Sequence, residues 1–215
     1  SLAGEGYGLY KNAVEEVSLE EKVAKIRSQE NFTSIEELPE TYVQAVISVE
    51  DHRFYEHGAL DLIAIGRAMF NDLKAGRYVE GGSTITQQLA KNLYFSQEKT
   101  MKRKAAEVFL AFELEQKYTK NEILELYVNS IYFGDGYYSI GEASEGYFGK
   151  SASRMNDYEA TLLAGVPNAP SRYAPSKNLA LAEKRQQKVI SRMEACGYLN
   201  DQAASVMSAE LLALK

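Results

Sequence analysis

The chain has 215 residues, 45% of them apolar and 25% charged, a balance that excludes a disordered or fibrous protein and leaves room for a real core. Its formal charge of −6 argues against non-specific nucleic-acid binding by bulk charge. Residues 1–50 hold ten acidic and four basic side chains, so the whole excess lies there and a basic patch further along has little background to oppose.

Periodicity favours helices nearly throughout, with no period-two strand followed by a hairpin turn. Pro39 suits a first helical turn and leads Tyr42, Val43, Val46 and Ile47 along one face to Glu50-Asp51, although the Val and Ile content makes this the segment most easily misread as a strand. A second helix is expected from about Asp61 to Lys74, stopping at Gly76. Gly81-Gly82-Ser83 reads as a loop and N-cap opening a polar helix from Thr84 to Asn92. From Thr100 to Lys117 a helix is apolar all round near Ala105–Phe112 except for Glu107, the pattern of a buried helix. Thr119 and Glu122 form a capping box ahead of Ile123, Leu124, Tyr127 and Ile131. Gly134-Asp135-Gly136 makes a turn, a short helix ends at Gly149, and Asn156 or Asp157 caps another reaching Gly165. Pro167, Pro170 and Pro175 define a loop expected to be non-helical and able to hinge the last forty residues. Amphipathic helices over Leu179–Cys196 and Asp201–Leu214 close the chain. The expectation is a single all-α domain over 1–215 with eight or more helices.

A single cysteine, Cys196, rules out an internal disulfide, and with His52 and His57 it offers no zinc-ligand set of the usual spacing. The two histidines lie five apart and are expected to shape the loop by hydrogen bonding rather than to bind metal. No run approaches the ~18 apolar residues of a membrane span. The chain opens on Ser1 rather than Met, and a missing N-terminal membrane anchor is one candidate for what precedes it.

Three clusters carry chemistry. Glu50-Asp51-His52-Arg53-Phe54-Tyr55-Glu56-His57-Gly58 follows an apolar helix, where a carboxylate is rigidly held and suits a general base. The plainer reading is a charged helix end, but acids sit poorly at a helix C-terminus. In the second cluster, Ser83, Gln87 and Lys91 fall at i, i+4, i+8, a strip of hydroxyl, amide and ammonium behind glycines whose N–H groups can approach an anion. It is not a Walker A loop, since no Gly-Lys-Ser/Thr follows. In the third, Lys99, Lys102, Arg103 and Lys104 run into Glu107, with Arg103 and Lys104 both in reach of that acid. Burial would raise the Glu107 pKa and the cations lower it, and the sequence leaves the winner open. So many cations exceed the needs of one carboxylate and suit a phosphorylated ligand. Ser96-Gln97-Glu98-Lys99 fits S-x-x-K but lacks its K-T-G and S-x-N partners and is read as chance. Of the fifteen tyrosines, several near Tyr127–Tyr147 could stack on sugars, while most belong to core or rim.

Taken together, these segments resemble the peptidoglycan glycosyltransferases, glycosyltransferase family 51, found as monofunctional enzymes and as a domain of class A penicillin-binding proteins. EDHRFYEHGALD at 50–61, GGSTITQQLAKN at 81–92, RKAAEVFLAFELE at 103–115, ELYVN at 125–129 continuing to Lys150, and EATLLAGVPNAPSRYAP at 159–175 match that family's five motifs in order. Departures are Gly58 directly after His57 and Ser139 where Gly is common. The resemblance implies a lysozyme-like helical lobe, a smaller membrane-facing lobe and a cleft between them. It implies polymerisation of lipid II, in which the 4-hydroxyl of one lipid II attacks the anomeric carbon of the lipid-pyrophosphate-linked strand with inversion.

By motif, Glu50 is the base and Glu107 the second essential glutamate, orienting cations or holding a divalent ion (Mg or Mn) against the pyrophosphate; no cofactor is otherwise required. Substrate binding falls to Asp51, Phe54, His57, Ser83, Thr84, Gln87, Gln88, Lys91, Asn92, Lys99, Arg103, Lys104 and Asn129, with Lys91, Lys99, Arg103 and Lys104 clamping the leaving pyrophosphate. The implied partners are lipid II, the growing lipid-linked strand, the membrane surface and moenomycin-type inhibitors, with no nucleic acid. The implied location is the outer face of a bacterial cytoplasmic membrane. A lysozyme-like hydrolase or lytic transglycosylase, which would need no pyrophosphate clamp, and a non-catalytic glycan-binding scaffold are the competing readings.

Overall fold

The computed structural model describes residues 1–76, 81–96 and 100–213. Among them are helices and no strands. In chain order these are α1 (Leu2–Glu16), α2 (Leu19–Arg27), α3 (Glu40–Glu50), α4 (Leu62–Ala75), α5 (Ile85–Ala90), α6 (Met101–Lys117), α7 (Lys120–Val128), α8 (Ile140–Phe148), α9 (Asp157–Gly165), α10 (Pro170–Tyr173), α11 (Leu179–Ala195) and α12 (Asp201–Ala213). None of the described helices is long and apolar enough to cross a membrane.

Local chemistry sets the boundaries. The Asp61 carboxylate accepts the Ala64 N–H at 2.9 Å to start α4, and Gly76 ends it in the left-handed conformation. Thr100 caps α6 through the Arg103 N–H, and Asn156 caps α9 through the Glu159 N–H. The Thr119–Glu122 box starts α7 as the sequence predicts: the Glu122 N–H donates to the Thr119 hydroxyl and the Thr119 N–H to the Glu122 carboxylate. The 134–136 turn is confirmed by three successive positive φ angles, including 51° at Asp135.

Three expectations need correction. The Pro167–Pro175 loop is partly helical: Val166–Asn168 is a 3₁₀ turn and α10 follows, each with proline in its first turn, where the missing N–H costs nothing. Nor is the chain after it loosely hinged, because Gln186 donates to the Tyr158 carbonyl at 2.8 Å and Thr161 Oγ1 at 3.0 Å, holding α11 on α9. The cap of α5 is Thr84, not Ser83, and the helix is short and largely buried rather than polar, with Ile85, Thr86, Leu89 and Ala90 inside.

The chain divides into two compact units, Ser1–Lys25 with Arg53–Tyr127 and Ile26–His52 with Val128–Lys215. In the first, α1 and α5 pack on α6. The approach of α1 is very close: a Cβ at Gly6 would lie 2.3 Å from the Ala105 Cβ. Tyr7 and Tyr10 close over Phe109, and the Tyr10 hydroxyl donates to Glu113 at 2.7 Å. Burial, then that carboxylate, pushes the Tyr10 phenol up to about 12. Helix α6 buries Ala106, Glu107, Leu110, Ala111 and Leu114 but leaves Phe112 exposed, so it is buried on one face rather than all round.

In the second unit, α9 sits between α3, α8 and α11 and is buried from Glu159 to Gly165. Tyr42, Ala45, Val46 and Ile47 of α3 and Ala182, Val189, Ile190 and Met193 of α11 complete this core. Ala204 and Met207 of α12 extend it over Ile190.

Candidate functional site

In the second unit, α3 ends on Glu50, whose side chain is half-buried, and Asp51 is its buried C-cap, with the Asp51 N–H donating to the Ile47 carbonyl at 2.9 Å. The fully buried Tyr42 phenol lies two helical turns back. Burial first, and the negative charge of Glu50 second, drive its pKa far above the ordinary phenol range. Glu50 is therefore held on a rigid helix end with a charge felt by the core.

Asn129, expected to bind substrate, is 0% exposed. Its amide closes a latch on the backbone of Thr33, accepting the N–H at 2.9 Å and donating to the carbonyl at 2.8 Å. That geometry ties the end of α7 to the segment before α3.

The first unit holds the other candidates. Arg53 forks onto Asp61, with Nε donating to Oδ2 at 3.1 Å and the second guanidinium nitrogen to Oδ1. Burial pushes the Asp61 carboxyl up, but the Ala64 N–H, Arg53 and His57 together outweigh it and hold it below the usual carboxylate range. The sequence did not single out Asp61, whose capping bond and ion pair fix the segment carrying Phe54 and His57. His57 Nδ1 lies 2.7 Å from the Gly58 carbonyl, the loop-shaping hydrogen bond expected of it. Phe54 is 0% exposed and packs edge-on with Tyr55 and His57.

Thr84 is also buried. Its hydroxyl donates to the Ala59 carbonyl at 2.9 Å and accepts the Gln87 N–H, while Gln87 Oε1 accepts the Thr84 N–H. This box occupies two backbone donors of the expected anion cradle. Ser83 lies exposed in the extended segment before the cap, so the helical strip of Ser83, Gln87 and Lys91 does not form. Gln88 accepts the Tyr127 hydroxyl at 3.0 Å. After Ala90 the helix widens into a π turn from Lys91 to Phe95, which re-aims Lys91 and the half-buried Asn92; such turns are frequent at functional sites.

Glu107 is buried on α6, one turn from Arg103, whose Nε approaches Oε1 to 2.9 Å. The contact is off the N–H axis, so neither atom makes a hydrogen bond. Burial raises the Glu107 pKa, and the opposing pull of Arg103, Lys91 and Lys104 does not cancel it. The balance left open by the sequence thus leans to burial. Arg103 is in contact with this carboxylate, and the positive charges of Lys91 and Lys104 also act on it. Lys99, with residues 97 and 98, lies outside the described residues, and Lys102 turns instead to Glu5 at 3.0 Å.

Comparison with known proteins identifies the family. The family model described as Transglycosylase matches residues 18–194, and the chain belongs to that family. It is 44% identical over 182 residues to penicillin-binding protein 1A/1B of Bacillus subtilis, covering 84% of this chain and 20% of that protein. It is likewise 44% identical over 169 residues to penicillin-binding protein 1A of Escherichia coli, covering 79% of this chain and 20% of that protein. A crystal structure of penicillin-binding protein 1A from Haemophilus influenzae aligns with TM-score 0.49 and 21% identity over 82% of this chain and 17% of that one. The chain spans about a fifth of the length of the curated relatives it matches.

Proposed function

We propose that this chain is a peptidoglycan glycosyltransferase that polymerises lipid II. The observation that carries the reading is the Arg103–Glu107 contact on α6, with the positive charges of Lys91 and Lys104 also acting on that carboxylate, in a chain of the transglycosylase family. A pyrophosphate leaving group needs its developing charge met by fixed cations, and a hydrolase of glycosidic bonds does not.

In this mechanism the ionised Glu50 carboxylate removes the proton from the 4-hydroxyl of an acceptor lipid II as its oxygen bonds to the anomeric carbon of the growing strand. The anomeric carbon–oxygen bond to the pyrophosphate breaks on the opposite face, giving inversion, and the lipid pyrophosphate departs with its charge held by the clamp. Asp51, His57, Ser83, Gln87, Gln88 and Asn92 are proposed to bind substrate and Lys99 to join the pyrophosphate clamp, while the buried Phe54, Thr84 and Asn129 are proposed to support their own segments. Glu107 suits the orienting of cations better than ligation of a divalent ion, since its single carboxylate already faces three positive charges.

A membrane-surface partner is supported by α4, which exposes Leu62, Ile63, Met69, Phe70 and Leu73, from 59% to 82% open. The proposed setting is accordingly the outer face of a bacterial cytoplasmic membrane, with moenomycin-type compounds as inhibitors. The test supplies lipid II to the 215-residue chain in the presence of lipid and sizes the product. Long glycan strands support the reading; shortening of preformed glycan without growth would establish the hydrolase, and binding of glycan without turnover the scaffold.

A further inference from the structure

Lys120, at the start of α7, contacts two segments of the first unit directly, the end of α6 and Phe54, and reaches a third, α5, through Glu115. Its Nζ donates to Glu115 Oε1 at 2.7 Å, and the same oxygen accepts the hydroxyl of the buried Thr86 at 2.7 Å. The ammonium also stands 4.5 Å from the centre of the buried Phe54 ring, within cation–π range. The next residue adds a bond, as the Tyr55 hydroxyl donates to Asn121 Oδ1 at 2.9 Å.

Phe54, helix α5 and the end of α6 are thereby joined through the Lys120–Glu115 pair. Phe54 carries His57 on its ring edge, and Thr86 immediately precedes Gln87 and Gln88. Lysine fits this place for a physical reason: its stem packs while a compact charge serves an acceptor and a ring face together. With side chains only 21% and 16% exposed, Lys120 and Glu115 are shielded enough for both interactions to outlast screening by salt.

We infer that Lys120 is a positioning residue for glycosyl transfer, setting the segment of Phe54 and His57 against the helix of Gln87 and Gln88 without touching substrate. The inference rests on the polymerase reading above. It differs from a packing role in what each substitution should do. Lys120→Met keeps the stem and removes the charge; Lys120→Arg keeps the charge and the cation–π contact.

The experiment measures lipid II polymerisation by the 215-residue chain and its Lys120→Met, Lys120→Arg, Phe54→Leu and Phe54→Leu/Lys120→Met variants, with the Tm of each. Lys120→Met should lower kcat roughly tenfold or more, with KM for lipid II nearly unchanged, because small misplacements of a site are costly. Lys120→Arg should recover most of that loss. The combined loss in the double variant should be smaller than the two single losses taken together, since both changes break the Lys120–Phe54 contact.

Equal losses in the Met and Arg variants, additive effects of Phe54→Leu and Lys120→Met, or a Lys120→Met defect confined to Tm would overturn the inference. Should Lys120→Met fail to fold, the NMR shift of the Lys120 ε-methylene decides. It should be moved upfield by the Phe54 ring and return in Phe54→Leu, and an unshifted resonance refutes the contact. A parent chain that makes no polymer overturns the functional reading itself, whereas an active parent with an equally active Lys120→Met overturns only the positioning.

Discussion

Gly6 offers a test that links the packing of α1 to the candidate site on α6. Replacing it with alanine places a Cβ 2.3 Å from the Ala105 Cβ and 3.1 Å from both the Ala105 carbonyl carbon and the Ala106 nitrogen. An ordinary carbon–carbon contact is about 3.7 Å, and most of the obstruction is backbone, so the helices must separate by roughly 1 Å. Overpacking of that kind costs about 2–3 kcal/mol, while exchanging glycine for alanine inside a helix returns about 1. The net loss of about 1–2 kcal/mol corresponds to a fall in Tm of about 4 °C for a chain of this size.

Gly8 is the internal control, because a Cβ there meets nothing within 4 Å; Gly8→Ala should raise Tm by a few degrees through propensity alone. Ala105 sits between Lys104 and Glu107, so Gly6→Ala should also depress polymerisation, and Gly8→Ala should not. Paired calorimetric scans and initial rates measure both effects. A Gly6→Ala chain as stable as Gly8→Ala would refute the helix contact.

Other outcomes follow from the same geometry. Glu107 has a raised pKa in the folded chain, so the folded state is penalised as pH rises through that value and is not penalised below the ordinary glutamate range of about 4. Glu107→Gln should therefore raise Tm at pH 7.5, with the gain vanishing near pH 4, while turnover falls; a lower Tm at pH 7.5 would contradict the burial argument. Lys91→Ala and Lys104→Ala should each reduce kcat far more than Lys184→Ala on an exposed face of α11, and equal effects in steady-state assays would remove the case for a clamp. Asn129→Ala breaks both bonds to Thr33 and leaves two buried backbone groups exposed to no partner, which should cost about 2–4 kcal/mol in a denaturant titration.

The helix ends were the most legible feature, because caps are local. Asp61, Thr100, Thr119 and Asn156 each accept from the N–H three residues on, and the sequence carries both partners. Helices α1 and α2 were not assigned, since Gly4, Gly6 and Gly8 weaken helical propensity and their use is visible only against α6. The proline loop misled because proline forbids a helix interior but suits its first turn.

At the candidate site, motif spacing named candidates but did not show their exposure. Phe54, Thr84 and Asn129 each meet partners remote in the chain, Lys120, Ala59 and Thr33, which no local pattern announces. Lys120 and Glu115 carried no signal of their own, because they lie five residues apart across the break between α6 and α7, a spacing with no helical meaning. The contest between burial and cations at Glu107 likewise needed the surroundings, because burial depends on helices that pack from elsewhere in the sequence.

The account turns on Glu50 acting as the base in strand growth. The most direct measurement compares the 215-residue chain with Glu50→Gln in lipid II polymerisation, scoring strand length and initial rate at matched folded concentration. Long glycan from the parent and a rate reduced by at least about 10²-fold in Glu50→Gln are expected; polymer formed at the parental rate by Glu50→Gln would contradict the mechanism.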